Sequence, residues 1–239
     1  MDQRKEIINV YQREDIAKTF DEKRFEYKFQ KYKHLLESRL LYETLKLLAK
    51  RKIKVLDVAC GTGRMIETLG KSPLEIDYTG LDTSKAMTKI LLEKAKKFGI
   101  GAKVKIGDAT QMPFEDNSFD LSYTYHLTWH LPKELQEKII REMIRVTKKD
   151  GYIIFDVLNE NFLWEKIKWL FGKRQTQGIY KMSIREIRKI LDGKNYELEK
   201  LSDFPVKNSF IYSILNFTNN IRGVLPSFFF HMLYFRVKK

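Results

Sequence analysis

Three aspartates give the first chemical signal in this chain, and their spacing says more than any one of them. Asp57 closes the apolar run Val55-Leu56-Asp57-Val58 and precedes the small-residue turn Ala59-Cys60-Gly61-Thr62-Gly63-Arg64. Asp82 ends Asp77-Tyr78-Thr79-Gly80-Leu81-Asp82, about one strand-helix-strand unit later. Asp108 follows Ala102-Lys103-Val104-Lys105-Ile106-Gly107. A carboxylate at a strand tip can accept both hydroxyls of a ribose, and Asp57 would repel a pyrophosphate but welcome a cationic group. Gly61 and Gly63 let a ligand lie against the main chain. Ile66 stands where the dinucleotide fingerprint needs its third glycine, which disfavours a nicotinamide cofactor. Taken singly, Asp57 also reads as a helix cap, and Asp82 before Thr83-Ser84 as the cap of the next helix. Three strand-end acids in register are not explained by caps.

A second cluster is Tyr125-His126-Leu127-Thr128-Trp129-His130-Leu131-Pro132, just past the apolar run Phe119-Asp120-Leu121-Ser122-Tyr123-Thr124. His126 is the first candidate for a general base, with Asp156 and Glu160 as further titratable groups, although a purely structural histidine is the plainer reading. His126 and His130 could share a metal if helical, but no third ligand is evident and Pro132 interrupts the turn, so no metal is expected. Cys60 reads as a small packing residue rather than a nucleophile.

These motifs in this order (strand and glycine loop, strand-Asp, Gly107-Asp108-Ala109 with Pro113-Phe114-Glu115-Asp116-Asn117-Ser118-Phe119-Asp120, then the histidine loop) resemble the class I S-adenosylmethionine-dependent methyltransferases of the type 11 kind. The resemblance runs from about Val55 to Val157 and departs from the usual loop only in Ala59-Cys60. It implies S-adenosylmethionine as cofactor. Asp57 would then lie near the methionine amino group, and the Ala59, Gly61 and Gly63 backbone around the amino-acid moiety. Asp82 would hold the ribose, Met87 would pack on adenine, and Asp108 with Ala109 would face the adenine amino group. Thr124 and Tyr125 would flank the sulfonium.

The elements that must position these groups follow from periodicity. Strands are expected at the apolar runs above and at Tyr152 to Leu158, Tyr196 to Leu201 and Met232 to Val237, with helices at Glu134 to Thr147 and Ser183 to Leu191 and a turn at Lys149-Asp150-Gly151. The expected fold is α/β, a Rossmann-like seven-stranded, mostly parallel sheet with helices on both faces and an antiparallel last strand. One domain over residues 1–239 is expected, with a helical N-terminal cap at 1–50, a cofactor-binding core at 53–158, and acceptor-side insertions at 159–182 and 205–227.

Composition bounds the rest. With 239 residues, one cysteine and a formal net charge of +14, the chain reads as a cytoplasmic protein without an internal disulfide or a cysteine metal cluster. The segment Met1 to Glu6 lacks a signal-peptide core, and no apolar run reaches a membrane span. Most lysines are dispersed, and the densest basic-aromatic stretch is Trp164 to Lys181. The aromatic stretch Phe204 to Phe230 exceeds what a polar metabolite needs and favours a small, lipophilic acceptor or a homodimer face, with peripheral membrane contact compatible. RNA methylation and a catalytically silent cofactor-binding protein are the alternatives. Charge supports RNA; the absence of a separate RNA-binding module and of an Asn/Asp-Pro-Pro-Tyr motif, where Tyr123-Thr124-Tyr125-His126 stands, opposes it.

Overall fold

The computed structural model describes residues 10–26, 28–48, 50–163, 178–201 and 225–239. Two helices lead, α1 (Glu14–Phe25) and α2 (Lys28–Leu47). They are followed by β1 (Lys52–Val58), α3 (Ile66–Gly70), β2 (Glu75–Asp82), α4 (Lys85–Lys97), β3 (Ala102–Ile106) and β4 (Phe119–Tyr123). A short 3-10 turn (Thr128–His130) leads into α5 (Lys133–Val146), β5 (Thr147–Leu158), α6 (Ile184–Leu191), β6 (Tyr196–Leu201) and β7 (Met232–Lys238). The strands form one seven-stranded sheet in the order β3-β2-β1-β4-β5-β7-β6. All pairs are parallel except those of β7, which runs antiparallel to both β5 and β6. This is the expected Rossmann-like sheet. Chain order reverses between β1 and β4, so the crevice beyond their C-terminal ends is where such a sheet takes a ligand.

Strand alternation decides which side chains meet. In β1, Ile53 and Val55 join the core on one face, while Leu56 and Val58 join the other. In β5, Ile153, Phe155 and Val157 pack with α5 and α6, whereas Ile154 and Leu158 face the side covered by α2. By the same period of two, Asp57 and Asp156 lie on the α2 side. Helix α2 meets them with a stripe at Leu36, Leu40, Leu41, Thr44, Leu45 and Leu48, all buried at helical spacing. Two charged residues, Lys33 and Glu37, stand within that stripe and are 2% and 0% exposed.

The turn expected at Lys149-Asp150-Gly151 is instead a bulge inside β5. Phe119 pairs with Thr147 and Leu121 with Tyr152, so the register jumps between them. Asp150 takes φ 65°, and its N–H donates to the Lys239 carbonyl at 3.0 Å, while the Lys239 N–H returns to Gly151 at 3.0 Å. The sequence-distant end of β7 captures a stretch that local chemistry would have turned. Of the basic-aromatic stretch Trp164 to Lys181, residues 164–177 lie outside the described residues, and so do residues 204–224 of the aromatic stretch Phe204 to Phe230. No helix among the described residues is long and apolar enough to cross a membrane.

Candidate functional site

The loop after β1 turns by three left-handed residues, Ala59 at φ 58°, Gly61 at φ 50° and Gly63 at φ 72°. A Cβ at Gly61 would meet nothing within 4 Å, so the backbone there borders open space. At Gly63 it would meet Leu91 Cγ at 2.8 Å and Ile66 Cγ1 at 2.9 Å; this glycine lets α4 close on the loop. Cys60 is buried, and its Sγ lies 2.7 Å from where a side chain at Gly80 would begin. Burial, followed by the Asp57 charge, pushes the Cys60 thiol well above its ordinary range, which makes it an inert packing group.

Three carboxylates reach this edge. Asp82 accepts the Gly61 N–H at 2.8 Å on one oxygen and the Ser84 N–H at 2.8 Å on the other. Asp108 Oδ1 accepts from the Thr110 N–H and hydroxyl, both at 2.9 Å. Asp57 Oδ2 accepts the hydroxyls of Tyr78 at 2.9 Å and Tyr123 at 2.7 Å. Burial pushes Asp57 up to about 7 against those two hydrogen bonds, and it raises Asp82 as well.

A cavity of about 570 Å³ opens at this crevice. Of the residues singled out by sequence, Ala59, Gly61, Asp82, Met87, Asp108, Ala109, Tyr125 and His126 line it. Asp57, Gly63 and Thr124 stand behind that lining. Thr124 is fully buried and donates its hydroxyl to the Val58 carbonyl at 2.8 Å, tying β4 to β1. The N-terminal helices form another wall, with Phe20, Lys23 and Arg24 of α1 on the cavity. Helix α1 is fastened there by Asp21, which accepts from the Thr62 hydroxyl and the Lys94 ammonium, each at 2.7 Å. Just before it, Gln12 reaches the Thr83 carbonyl, and the Ser84 hydroxyl donates to Tyr11.

His126 sits at the junction of these walls in a left-handed conformation, φ 66°. Its backbone N–H donates to both oxygens of Asp156, at 2.9 and 3.2 Å, which fixes that strained turn. Its ring Nε2 lies 2.6 Å from Glu37 Oε1. Glu37 also takes the Arg64 guanidinium at 3.0 Å and the Tyr234 hydroxyl at 3.0 Å. Burial alone would raise the Glu37 carboxyl, but the Arg64 guanidinium and the hydrogen bond from the His126 ring outweigh it and hold it well below the ordinary range. Burial pushes His126 well below its ordinary 6.5, and Lys33, Arg64 and Arg24 add to that against the pull of Glu37. The pair is therefore an ionised carboxylate receiving Nε2–H from a neutral imidazole. That assigns the other ring nitrogen, Nδ1, as the acceptor. Burial, with Glu37 nearby, lifts Asp156 to about 6.

Sequence reading missed Glu37 and Arg64. The available signal was a glutamate within the Leu36-Leu40-Leu41 stripe of α2, where an unpartnered charge would be costly. Glu37, His126 and Asp156 also offer ligand atoms within 4.8 Å of one another. Both Glu37 oxygens are already engaged and Arg64 stands beside them, so the cluster is built as an ion-pair network. His130 is not part of it; it lies on the Trp129 ring at 4.0 Å.

A family described as a methyltransferase domain matches residues 56–155. A sterol 4-C-methyltransferase of Caenorhabditis elegans is 30% identical over 135 residues, 55% of this chain and 39% of that protein. A demethylmenaquinone methyltransferase of Listeria welshimeri is 38% identical over 117 residues, 46% of this chain and 48% of that one. The chain thus spans less than half the length of these relatives. A magnesium protoporphyrin IX methyltransferase from Synechocystis PCC 6803, solved with S-adenosylmethionine, shares the fold at TM-score 0.64 and 15% identity, covering 100% of this chain and 98% of that one.

Proposed function

We propose, for a chain that belongs to the class I S-adenosylmethionine-dependent methyltransferases, methyl transfer to a small or lipid-like acceptor bound under the N-terminal helices. The observation that carries this reading is the cavity itself, which joins the strand-tip carboxylates to an apolar wall bearing His126. The residues fit the cofactor: open space beside Gly61 suits a ligand against the backbone, and Asp57 and Asp82, hydrogen-bonded only by neutral donors, have no cationic partner of their own and can take a cationic group and hydroxyls. Asp57 would face the amino group, Asp82 the ribose, and Met87, Asp108 and Ala109 the base. When bound, the cofactor supplies an electrophilic methyl group on a positively charged sulfur.

The protein's task is then alignment, exclusion of water and proton removal. Phe20, Leu127, Trp129 and Leu131 give the acceptor an apolar bed. His126 would receive, on Nδ1, the proton that an acceptor oxygen loses as its new bond to carbon forms. Glu37 would fix the ring by accepting Nε2–H, a positioning role. The names of the sterol and demethylmenaquinone relatives support a lipophilic acceptor. We place the enzyme in the cytoplasm, in keeping with its single buried thiol.

Titration calorimetry tests the cofactor assignment. S-adenosylmethionine or S-adenosylhomocysteine should bind without metal, and Asp82→Ala should weaken binding by about 1–3 kcal/mol. Binding of NADH in their place would overturn the reading.

A further inference from the structure

Arg24 is the unresolved charge of the cavity. It sits in the last turn of α1 and lines the pocket on the side of His126, Trp129 and His130. Its guanidinium lies 5.5 Å over the Phe20 ring, yet among the described residues no carboxylate pairs with it. Its Nε is buried without a hydrogen-bond partner, and so is Nε1 of Trp129 on the same cavity. Both are donors. The nearby acids are already engaged, Glu37 by Arg64, His126 and Tyr234, and Asp156 by the His126 N–H. Burial, then the Arg64 charge, draws Arg24 down to about 10, and burial followed by Arg24 and Lys33 draws His130 to about 4. The acceptor side is thus an apolar bed with a half-buried cation, neutral imidazoles and unused donors. A neutral lipophile bound there would cover the guanidinium and leave it uncompensated. An anionic oxygen group would complete it through a charge-assisted, bidentate pair.

We propose that the acceptor is an organic acid, an apolar body carrying an anionic oxygen group that pairs with the Arg24 guanidinium. The proposal rests on the methyltransferase reading and narrows its acceptor class. A carboxylate and a phosphate share the required chemistry, so the test carries both.

The experiment uses the full chain saturated with S-adenosylhomocysteine and titrated by calorimetry with octanoate, octyl phosphate and neutral octanamide. At least one anion should bind about tenfold more tightly than octanamide, and the preferred anion distinguishes the two headgroups. Arg24→Gln should erase the preference while retaining S-adenosylhomocysteine, which reports an intact fold. Arg24→Lys should keep the preference in part, because charge remains without the planar fork, and it carries the test alone if Arg24→Gln does not fold. Octanamide binding as tightly as both anions, a preference undiminished in either variant, or no binding of any probe to the loaded protein would overturn the proposal. Failure of the unaltered chain to bind S-adenosylhomocysteine would instead fell the methyltransferase reading.

Discussion

Carboxylates on the two sides of the cavity are stabilised in opposite ways. At the strand tips, Asp57 and Asp82 receive only neutral donors, tyrosine hydroxyls or backbone N–H groups, and burial raises both. Under α2, Glu37 is fully buried yet held ionised by Arg64, with His126 and Tyr234 completing its shell. The first arrangement is electrostatically unfinished and gains from a cationic ligand. The second is complete without one and serves to hold a neighbouring ring. Removal of the same functional group from solvent therefore marks a binding position in one case and a support in the other.

The largest effect that would sharpen this contrast is on turnover. His126→Asn should lower the rate by about 10²–10⁴-fold with cofactor affinity retained, as expected for loss of a general base. Sequence alone would set the rise in rate near pH 6–7. Because burial keeps the His126 ring neutral well below 6.5, the wild-type rate should already be on its plateau at pH 6.5. Equal loss of rate and cofactor binding would make His126 merely structural.

Next in size is the support itself. Glu37→Leu leaves Arg64 buried without its partner and should lower unfolding stability by about 3–5 kcal/mol in denaturant titrations. Glu37→Gln, which can still accept from the ring, should fold and show a shifted pH–rate profile. An unchanged profile would remove Glu37 from the positioning role.

The smallest effect concerns protons at the unfinished side. Asp57 carries a folded-state value of about 7 against an ordinary 3.8, so its native form holds a proton that the unfolded chain releases. Its contribution to ligand-free stability is present below 3.8 and is lost as pH rises through about 7. A cationic ligand facing the ionised form reverses that preference. S-adenosylhomocysteine should bind with release of a proton and weaken by up to tenfold per pH unit below about 7. Calorimetry in buffers of different ionisation enthalpy measures that proton, and a pH-independent affinity would break the comparison.

What was legible in sequence divides along the same line. The strand-tip acids, the glycine loop and the strand positions along the chain are local signals, because each strand, its turn and its terminal residue are contiguous. Glu37 and His126 are separated by 89 positions, and Glu37 and Tyr234 by 197. No local period brings them together; the shared sheet face under α2 does. The bulge in β5 was misread for a related reason, since its partner is the far end of β7. The packing reason for Gly63 was not legible either, since the side chain its missing Cβ admits, Leu91, comes from the next helix.

The fastening of α1 has a thermodynamic consequence. Through Asp21 the helix is tied to Thr62 in the cofactor loop and to Lys94 on α4, and one turn later the same helix presents Arg24 to the cavity. Any gain in the seating of α1 that one ligand brings is available to the other. Linkage makes the exchange symmetric: the factor by which a bound cofactor tightens the acceptor is the factor by which the acceptor tightens the cofactor.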